Sequence, residues 1–163
     1  MKYDLSKLLD MLIKDEGMEL KVYKDTLGID TIGVGRNIID RPLTVAEMQH
    51  LGIFSTQEIY DNGITLYGAR YLLRNDVAIA ERELLAAQSC VKNLNAPRQM
   101  VCVNMAFNLG MPRLKRFTNM WNAIHRKDYE RAADEMLDSR WAVQVKGRAT
   151  RLSDIMRTGE LND

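Results

Sequence analysis

From Leu66 onward the apolar residues Leu66, Leu72, Leu73, Val77, Ala80, Leu84 and Leu85 return at helical spacing. Neither Gly nor Pro interrupts the chain from Ala69 to Gln88. Twenty residues of uninterrupted α-helix cover roughly 30 Å, about the width of a small domain. A chain of 163 residues fits one domain, or two lobes that share one such element. The long helix therefore divides the chain into an N-terminal and a C-terminal part.

The two parts read differently. In the first, Leu5, Leu8, Leu9, Leu12 and Ile13 mark an amphipathic helix from about Ser6 to Glu16, and Gly17 stops it. Leu20-Lys21-Val22-Tyr23 then alternates as a strand does. Thr26-Leu27-Gly28 is a turn, and Thr31-Ile32-Gly33-Val34-Gly35 is a second β-rich run. Two capping-box patterns, Thr44-x-x-Glu47 and Ser55-x-x-Glu58, predict short helices, and Asn62-Gly63 predicts a turn. Beyond Pro97 only helices are predicted. They cover Arg98–Leu109 ending at Gly110, Phe117 to about Arg126, a helix capped by Asp128 and ending near Ser139, and Arg148–Thr158 ending at Gly159. The expected fold is α+β: an N-terminal lobe of about residues 14–65 with a small antiparallel sheet, a connecting helix over about 66–88, and an all-helical C-terminal lobe over about 89–163 that includes the first helix.

Composition excludes several classes. Hydrophobic residues make up 46% and charged residues 28%, as in ordinary globular proteins. Two cysteines, Cys90 and Cys102, are too few for a disulfide scaffold and read as reduced thiols; with only two histidines, no metal site is expected. The N-terminus lacks the apolar run of a signal peptide, and no stretch approaches a membrane span. The protein is expected to be made in the cytoplasm. Residues 1–65 hold 7 Lys/Arg against 11 Asp/Glu, and residues 66–163 hold 16 against 11. That mild basic bias favours an anionic polymer without choosing one. No aromatic–basic motif points to nucleic acid.

Glu16 and Asp25 are the candidate chemistry. Glu16 closes a helix, Asp25 lies beside a glycine-rich hairpin, and two carboxyls in different environments can divide acid and base work. On spacing alone, ordinary surface charge is the favoured reading of this pair.

At these residues the chain resembles the bacteriophage T4-type lysozymes, the glycoside hydrolase family 24 endolysins. The family pattern appears as Glu16-Gly17, Tyr23-Lys24-Asp25-Thr26-Leu27-Gly28 and Thr31-Ile32-Gly33-Val34-Gly35. A second block is Asn104-Met105-Ala106-Phe107-Asn108-Leu109-Gly110, followed by Phe117-Thr118-Asn119. A third is Ser139-Arg140-Trp141, then Arg148, Arg151 and Arg157-Thr158-Gly159. The blocks run in order along nearly the whole chain, and residues 37–65 match poorly.

The resemblance implies a lysozyme-like two-lobed fold and a muramidase that needs no cofactor or metal. It implies Glu16 as general acid, Asp25 as the carboxylate that stays ionised, and Thr31 as the holder of a water, giving net inversion. Arg148 would lie behind the catalytic Glu and pair with Asp15 or Glu16. Arg36 and Asp76 occupy positions where the best-known relative pairs a histidine with an aspartate, so an Arg36–Asp76 ion pair is expected. Asn37, Phe107, Met120 and Glu135 fall at substrate-contact positions, although only Phe107 keeps its residue type. Phe107 reads equally as a core aromatic, and Trp121 and Trp141 read as core. The implied partner is peptidoglycan, with no nucleic acid or stable membrane association and a monomeric state. The implied setting is the host bacterial cytoplasm, with release to the wall through a separate holin. A lytic transglycosylase, a virion-borne lysozyme and a non-catalytic wall-binding module are the competing readings.

Overall fold

The computed structural model describes residues 1–161. Its helices are α1 (Leu5–Glu16), α2 (Val45–Leu51), α3 (Thr56–Asn62), α4 (Leu66–Ala87), α5 (Ala96–Leu109), α6 (Met111–Leu114), α7 (Thr118–His125), α8 (Tyr129–Leu137), α9 (Arg140–Val145) and α10 (Gly147–Thr158), with a 3-10 turn at Ser89–Asn93. Its strands are β1 (Glu19–Lys24), β2 (Asp30–Gly33) and β3 (Arg36–Asn37). The fold is α+β. The 22 residues of α4 make a helix of about 33 Å.

The chain divides into two compact units, residues 9–76 and residues 1–8 together with the chain from Val77. Both α1 and α4 run through a boundary between units.

The N-terminal unit holds the sheet. Its strands are antiparallel in the order β1-β2-β3. Tyr23 faces Thr31, and Thr31 in turn faces Asn37, with a bulge in β1 between Glu19 and Tyr23. The core beneath is small, built on Ile32, Ile38, Leu43, Ile59 and Leu72. Gly63 closes α3 against β1 at a φ of +70°, and a Cβ there would lie 2.2 Å from the Leu20 carbonyl oxygen. Only glycine permits that approach. The neighbouring Ile64 N–H then donates to the same oxygen at 2.8 Å.

Caps behave unevenly. At α2 the full box forms: Thr44 accepts from the Glu47 N–H and Glu47 accepts from the Thr44 N–H. At α3 the Ser55 hydroxyl makes no cap bond, and Glu58 instead accepts from the Phe54 N–H at 3.1 Å. The helix forms where the pattern predicts it, with a different donor satisfied.

The C-terminal unit is all-helical. Leu84, Val101, Met105, Leu114, Met136 and Leu152 are among its fully buried side chains, with α8 packed on α7 and α10. Trp121 and Trp141 are both buried, as expected of core residues. Asp128 caps α8 by accepting from the Arg131 N–H, and Gly159 ends α10 in the left-handed conformation. The short helices α6 and α9 and the 3-10 turn were not expected from periodicity, because four to six residues are too few to show it. Cys90 and Cys102 are free thiols, Cys102 fully buried. Among the described residues no helix is long and apolar enough to cross a membrane.

Candidate active site

The N-terminal unit brings Glu16, Asp25 and Thr31 to one substructure. Glu16 is the last residue of α1 and is half-buried. Asp25 follows β1 directly. Its Oδ1 accepts from the backbone N–H groups of Leu27 at 2.8 Å and Ile29 at 2.9 Å. The Asp25 N–H donates to the Ile29 carbonyl, so side chain and backbone together tie the turn. Oδ2 makes no hydrogen bond among the described residues. Thr31 is buried at 3% exposure, and its hydroxyl donates to the Ile29 carbonyl at 3.0 Å. One five-residue turn thus fixes both Asp25 and Thr31.

Tyr23 reports on the electrostatics. Burial, followed by the negative charges of Glu19, Asp25 and Glu16, pushes its phenol above the ordinary tyrosine value. Both candidate carboxylates therefore act on a single ring, opposite Thr31 in the sheet register.

Behind the hairpin lies a buried charge cluster. Arg36 donates to Asp76 at 2.9 Å and to Glu47 at 2.9 Å, and its Nε donates to the Arg41 carbonyl at 3.0 Å. The expected Arg36–Asp76 pair is present, with all three side chains nearly inaccessible. Arg41 adds a second cation on Asp76, and Asn75 donates to Glu47 at 3.0 Å. Burial pushes the Asp76 carboxyl up to about 6; Arg36 and Arg41 offset this only in part, and the charge of Glu47 adds to it. Burial also pushes Glu47 upward, but Arg36, the Thr44 N–H and Asn75 outweigh it, and its carboxyl sits below the ordinary value. Sequence reasoning missed Glu47 as a partner of Arg36, Arg41 as the second cation on Asp76 and Asn75 as a donor to Glu47. The capping box identified Glu47 only as a helix cap, and nothing in the spacing signals its second role.

The expected substrate-contact residues are scattered. Asn37 sits on β3, but its amide is engaged locally, accepting from Ile39 and Asp40 N–H groups and donating to the Asp40 carboxylate at 2.9 Å. Phe107 is half-buried on α5, and Met120 is buried on α7. Glu135 on α8 is paired with Arg131 at 2.5 Å. Met120 and Glu135 line one concave site of the C-terminal unit. Arg148, on α10, donates through Nε and Nη2 to the Oδ1 of the buried Asn104 at 3.0 and 2.8 Å, which fixes the plane of its guanidinium. Among the described residues no group of three or more His, Cys, Asp or Glu side chains is arranged to hold a metal.

Comparison with known proteins agrees with the blocks read from the sequence. The phage lysozyme family model matches residues 13–157. The pre-baseplate central spike protein Gp5 of Enterobacteria phage T4 is 37% identical over 163 residues, covering 94% of this chain; the chain spans 28% of that protein. Two probable T4-type lysozymes of Dictyostelium discoideum, 1 and 2, are each 30% identical, with 97% and 98% of this chain covered and 98% of each relative. With the family match running across both units, the chain belongs to the phage lysozymes of the T4 type, and it is a glycoside hydrolase of the muramidase class.

Proposed function

We propose that the protein hydrolyses the β-1,4 bond between N-acetylmuramic acid and N-acetylglucosamine in bacterial peptidoglycan, and does so with inversion. Glu16 is the general acid, protonating the glycosidic oxygen as the bond to the anomeric carbon breaks. Asp25 stays ionised and orients a water for attack on the opposite face. Thr31 helps hold that water. Its hydroxyl proton is engaged by the Ile29 carbonyl, so its oxygen serves the water as an acceptor. Inverting enzymes leave roughly 6.5–9.5 Å between their two carboxyls for such a water. The observation that carries the assignment is the Asp25 turn: two backbone N–H groups hold Oδ1 and leave Oδ2 for the nucleophile.

Asn37, Phe107, Met120 and Glu135 contribute to substrate contacts, and Arg36, Asp76 and Arg148 support the framework. The biological setting is lysis of the host cell: an enzyme made in the cytoplasm that reaches the wall through a separate holin. A virion-borne enzyme is the second reading, favoured by the 37% identity to a baseplate spike protein.

The test is digestion of purified peptidoglycan by the native protein and by Glu16→Gln, with products read by mass spectrometry. Hydrolysis leaves reducing N-acetylmuramic acid ends, made by the native protein and not by the variant. Anhydro-muramyl ends would instead mean a transglycosylase, and equal digestion by both would remove Glu16 from the mechanism. Detection of the protein in purified virions would select the second setting.

A further inference from the structure

On the N-terminal unit two helices meet through aromatic rings that the proposed mechanism does not use. His50 lies in the last turn of α2, and Tyr67 and Tyr71 stand four residues apart on α4, so both tyrosines share one face of that helix. The His50 ring stacks on Tyr71, with centroids 4.0 Å apart and planes 16° from parallel. Its Nε2 and the Tyr67 hydroxyl share a hydrogen bond at 2.8 Å, and the centroids of these two rings lie 5.9 Å apart at 26°. A bond through ring edges at that separation sets His50 and Tyr67 side by side, with Tyr71 supporting His50. The layer is open to solvent: His50 is exposed and Tyr67 is 63% exposed. Tyr71 is half-buried and packs on the small apolar core of this unit, so the layer rests on a fixed base. Single exposed apolar residues are ordinary, whereas a joined layer of rings marks a contact surface.

The next residue along each helix opens a recess. Leu51 and Gly68 line a cavity of about 240 Å³, with Ile53 and Ile64 as apolar walls and Asn62 and Thr65 as polar groups. Gly68 keeps it open, since a Cβ there would stand 3.5 Å from Leu51 and 3.6 Å from Ile64, between two of its walls. Thr65 Oγ1 accepts from the Gly68 N–H at 3.0 Å, and its own proton is uncommitted among the described residues. Sites that enclose a whole ligand typically span about 300–1,000 Å³, so this recess suits a substituent rather than a molecule. A flat ring layer beside such a recess matches a pyranose that carries an acetamido group. The C–H face of the sugar lies on the rings, the methyl meets Ile53 and Ile64, and the amide meets Asn62 and Thr65. The His50–Tyr67 separation is close to the spacing of successive pyranoses in a β-1,4 chain, so each ring can carry one sugar. Nucleic acid and anionic lipid fit less well, because both call for surrounding cations. Residues 9–76 carry 7 Lys/Arg against 11 Asp/Glu.

We infer that the His50–Tyr67–Tyr71 layer and the adjoining recess bind a neutral, β-1,4-linked N-acetylhexosamine strand. The site lies on α2 and α4, whereas Asp25 and Thr31 belong to the hairpin. A polymeric substrate offers many bonds on one strand, so a second hold on that strand keeps the enzyme in place between cleavages. Once one contact is made the other becomes intramolecular, which raises avidity with no change at the reacting bond. The identity of the natural strand rests on the muramidase reading, to which this site adds a hold apart from the catalytic residues.

The test uses the full-length Glu16→Gln protein, so that turnover plays no part. An oligomer of β-1,4-linked N-acetylglucosamine and a β-1,4-linked glucose oligomer of equal length are titrated while ring and methyl signals are followed by NMR. The acetylated oligomer should shift His50, Tyr67, Tyr71 and the Ile53 and Ile64 methyls together, and bind there at least about tenfold tighter than the glucose oligomer. Adding Y67A should abolish those shifts and leave any shifts of the Asp25–Thr31 hairpin in place. Y67F keeps the ring and should retain them, and N62A should narrow the preference for the acetylated oligomer. Circular dichroism verifies that each variant is folded. Unshifted ring signals, equal affinity for the two oligomers, or binding that survives Y67A overturns the inference. So does a dimer that Y67A dissolves while glycan binding stays unchanged, which would make the layer a contact between copies. Digestion of peptidoglycan by the native protein tests the muramidase reading alone, so the two can fail separately.

Discussion

In the N-terminal unit Arg36, Glu47 and Asp76 are buried together, whereas among the described residues the buried polar side chains of the C-terminal unit are Gln99, Asn104 and Ser153, all neutral. The difference arises from how each unit satisfies its backbone. Helices satisfy their own interior N–H and C=O groups, so a helical unit can pack apolar faces and needs polar side chains mainly where helices end or meet turns. Gln99 does this: it accepts from the Lys2 N–H and donates to the carbonyls of Val91 and Lys92, at the 3-10 turn. The N-terminal unit has a three-stranded sheet, a small apolar core and an irregular run from Ile38 to Leu43. Arg36 reaches the carbonyls of Arg41 and Pro42 and two carboxylates at once, closing that run onto α2 and α4. Charge there does what apolar area does in the other unit.

The comparison can be tested by substitutions of decreasing expected effect. The largest lies on catalysis, which the proposal puts on the N-terminal unit alone. Glu16→Gln should lower turnover of peptidoglycan by at least about a hundredfold, as loss of a general acid does. Arg36→Leu comes next. It leaves Glu47 buried without a cation and Asp76 with Arg41 alone, so it should cost about 3–5 kcal/mol by urea denaturation at pH 7. A loss below about 1 kcal/mol would mean that the cluster is replaceable by apolar packing.

The pH dependence gives a smaller effect with a definite sign. Asp76 has a folded-state pKa of about 6, above its unfolded value of about 3.9, so its contribution is fully present below pH ~3.9 and is lost as pH rises through about 6. Relative to Asp76→Asn, the native protein should lose about 2–3 kcal/mol between pH 4 and pH 7. Glu47 works the other way. Its lowered pKa contributes stability above the ordinary glutamate range, lost as pH falls. A series of urea curves for Asp76→Asn and Glu47→Gln should therefore diverge in opposite directions as pH changes, and parallel curves would refute the separation. Least affected should be Ser153→Ala in the C-terminal unit. Among the described residues its hydroxyl bonds only back to the Thr150 carbonyl at 2.8 Å, so a change within about 1 kcal/mol, independent of pH, is expected.

Much of the fold was legible without coordinates. The apolar stripe of α4, the Asp128 cap, the Gly110 and Gly159 stops and the full Thr44–Glu47 box are local features, and local features are written in consecutive residues. The Arg36–Asp76 pair was legible only through family resemblance, since forty positions separate the partners. Glu47 was visible as a cap and invisible as an ion-pair partner. Arg113 and Arg116 lie three residues apart, but Arg140 joins them at one concave site of the C-terminal unit only in the folded chain, which nothing in the spacing signals.

The sequence by itself determined the α+β class, the long helix, the hairpin turns and the order of the family blocks, because each depends on residues a few positions apart. The hold of the turn on the Asp25 carboxylate and the Thr31–Ile29 bond are local as well, within four residues, whereas tertiary structure alone decided that Thr31 is buried. It also decided which carboxylates share Arg36. Those outcomes turn on side-chain direction and burial, and a carboxyl or guanidinium acquires its chemistry from whatever desolvates and faces it.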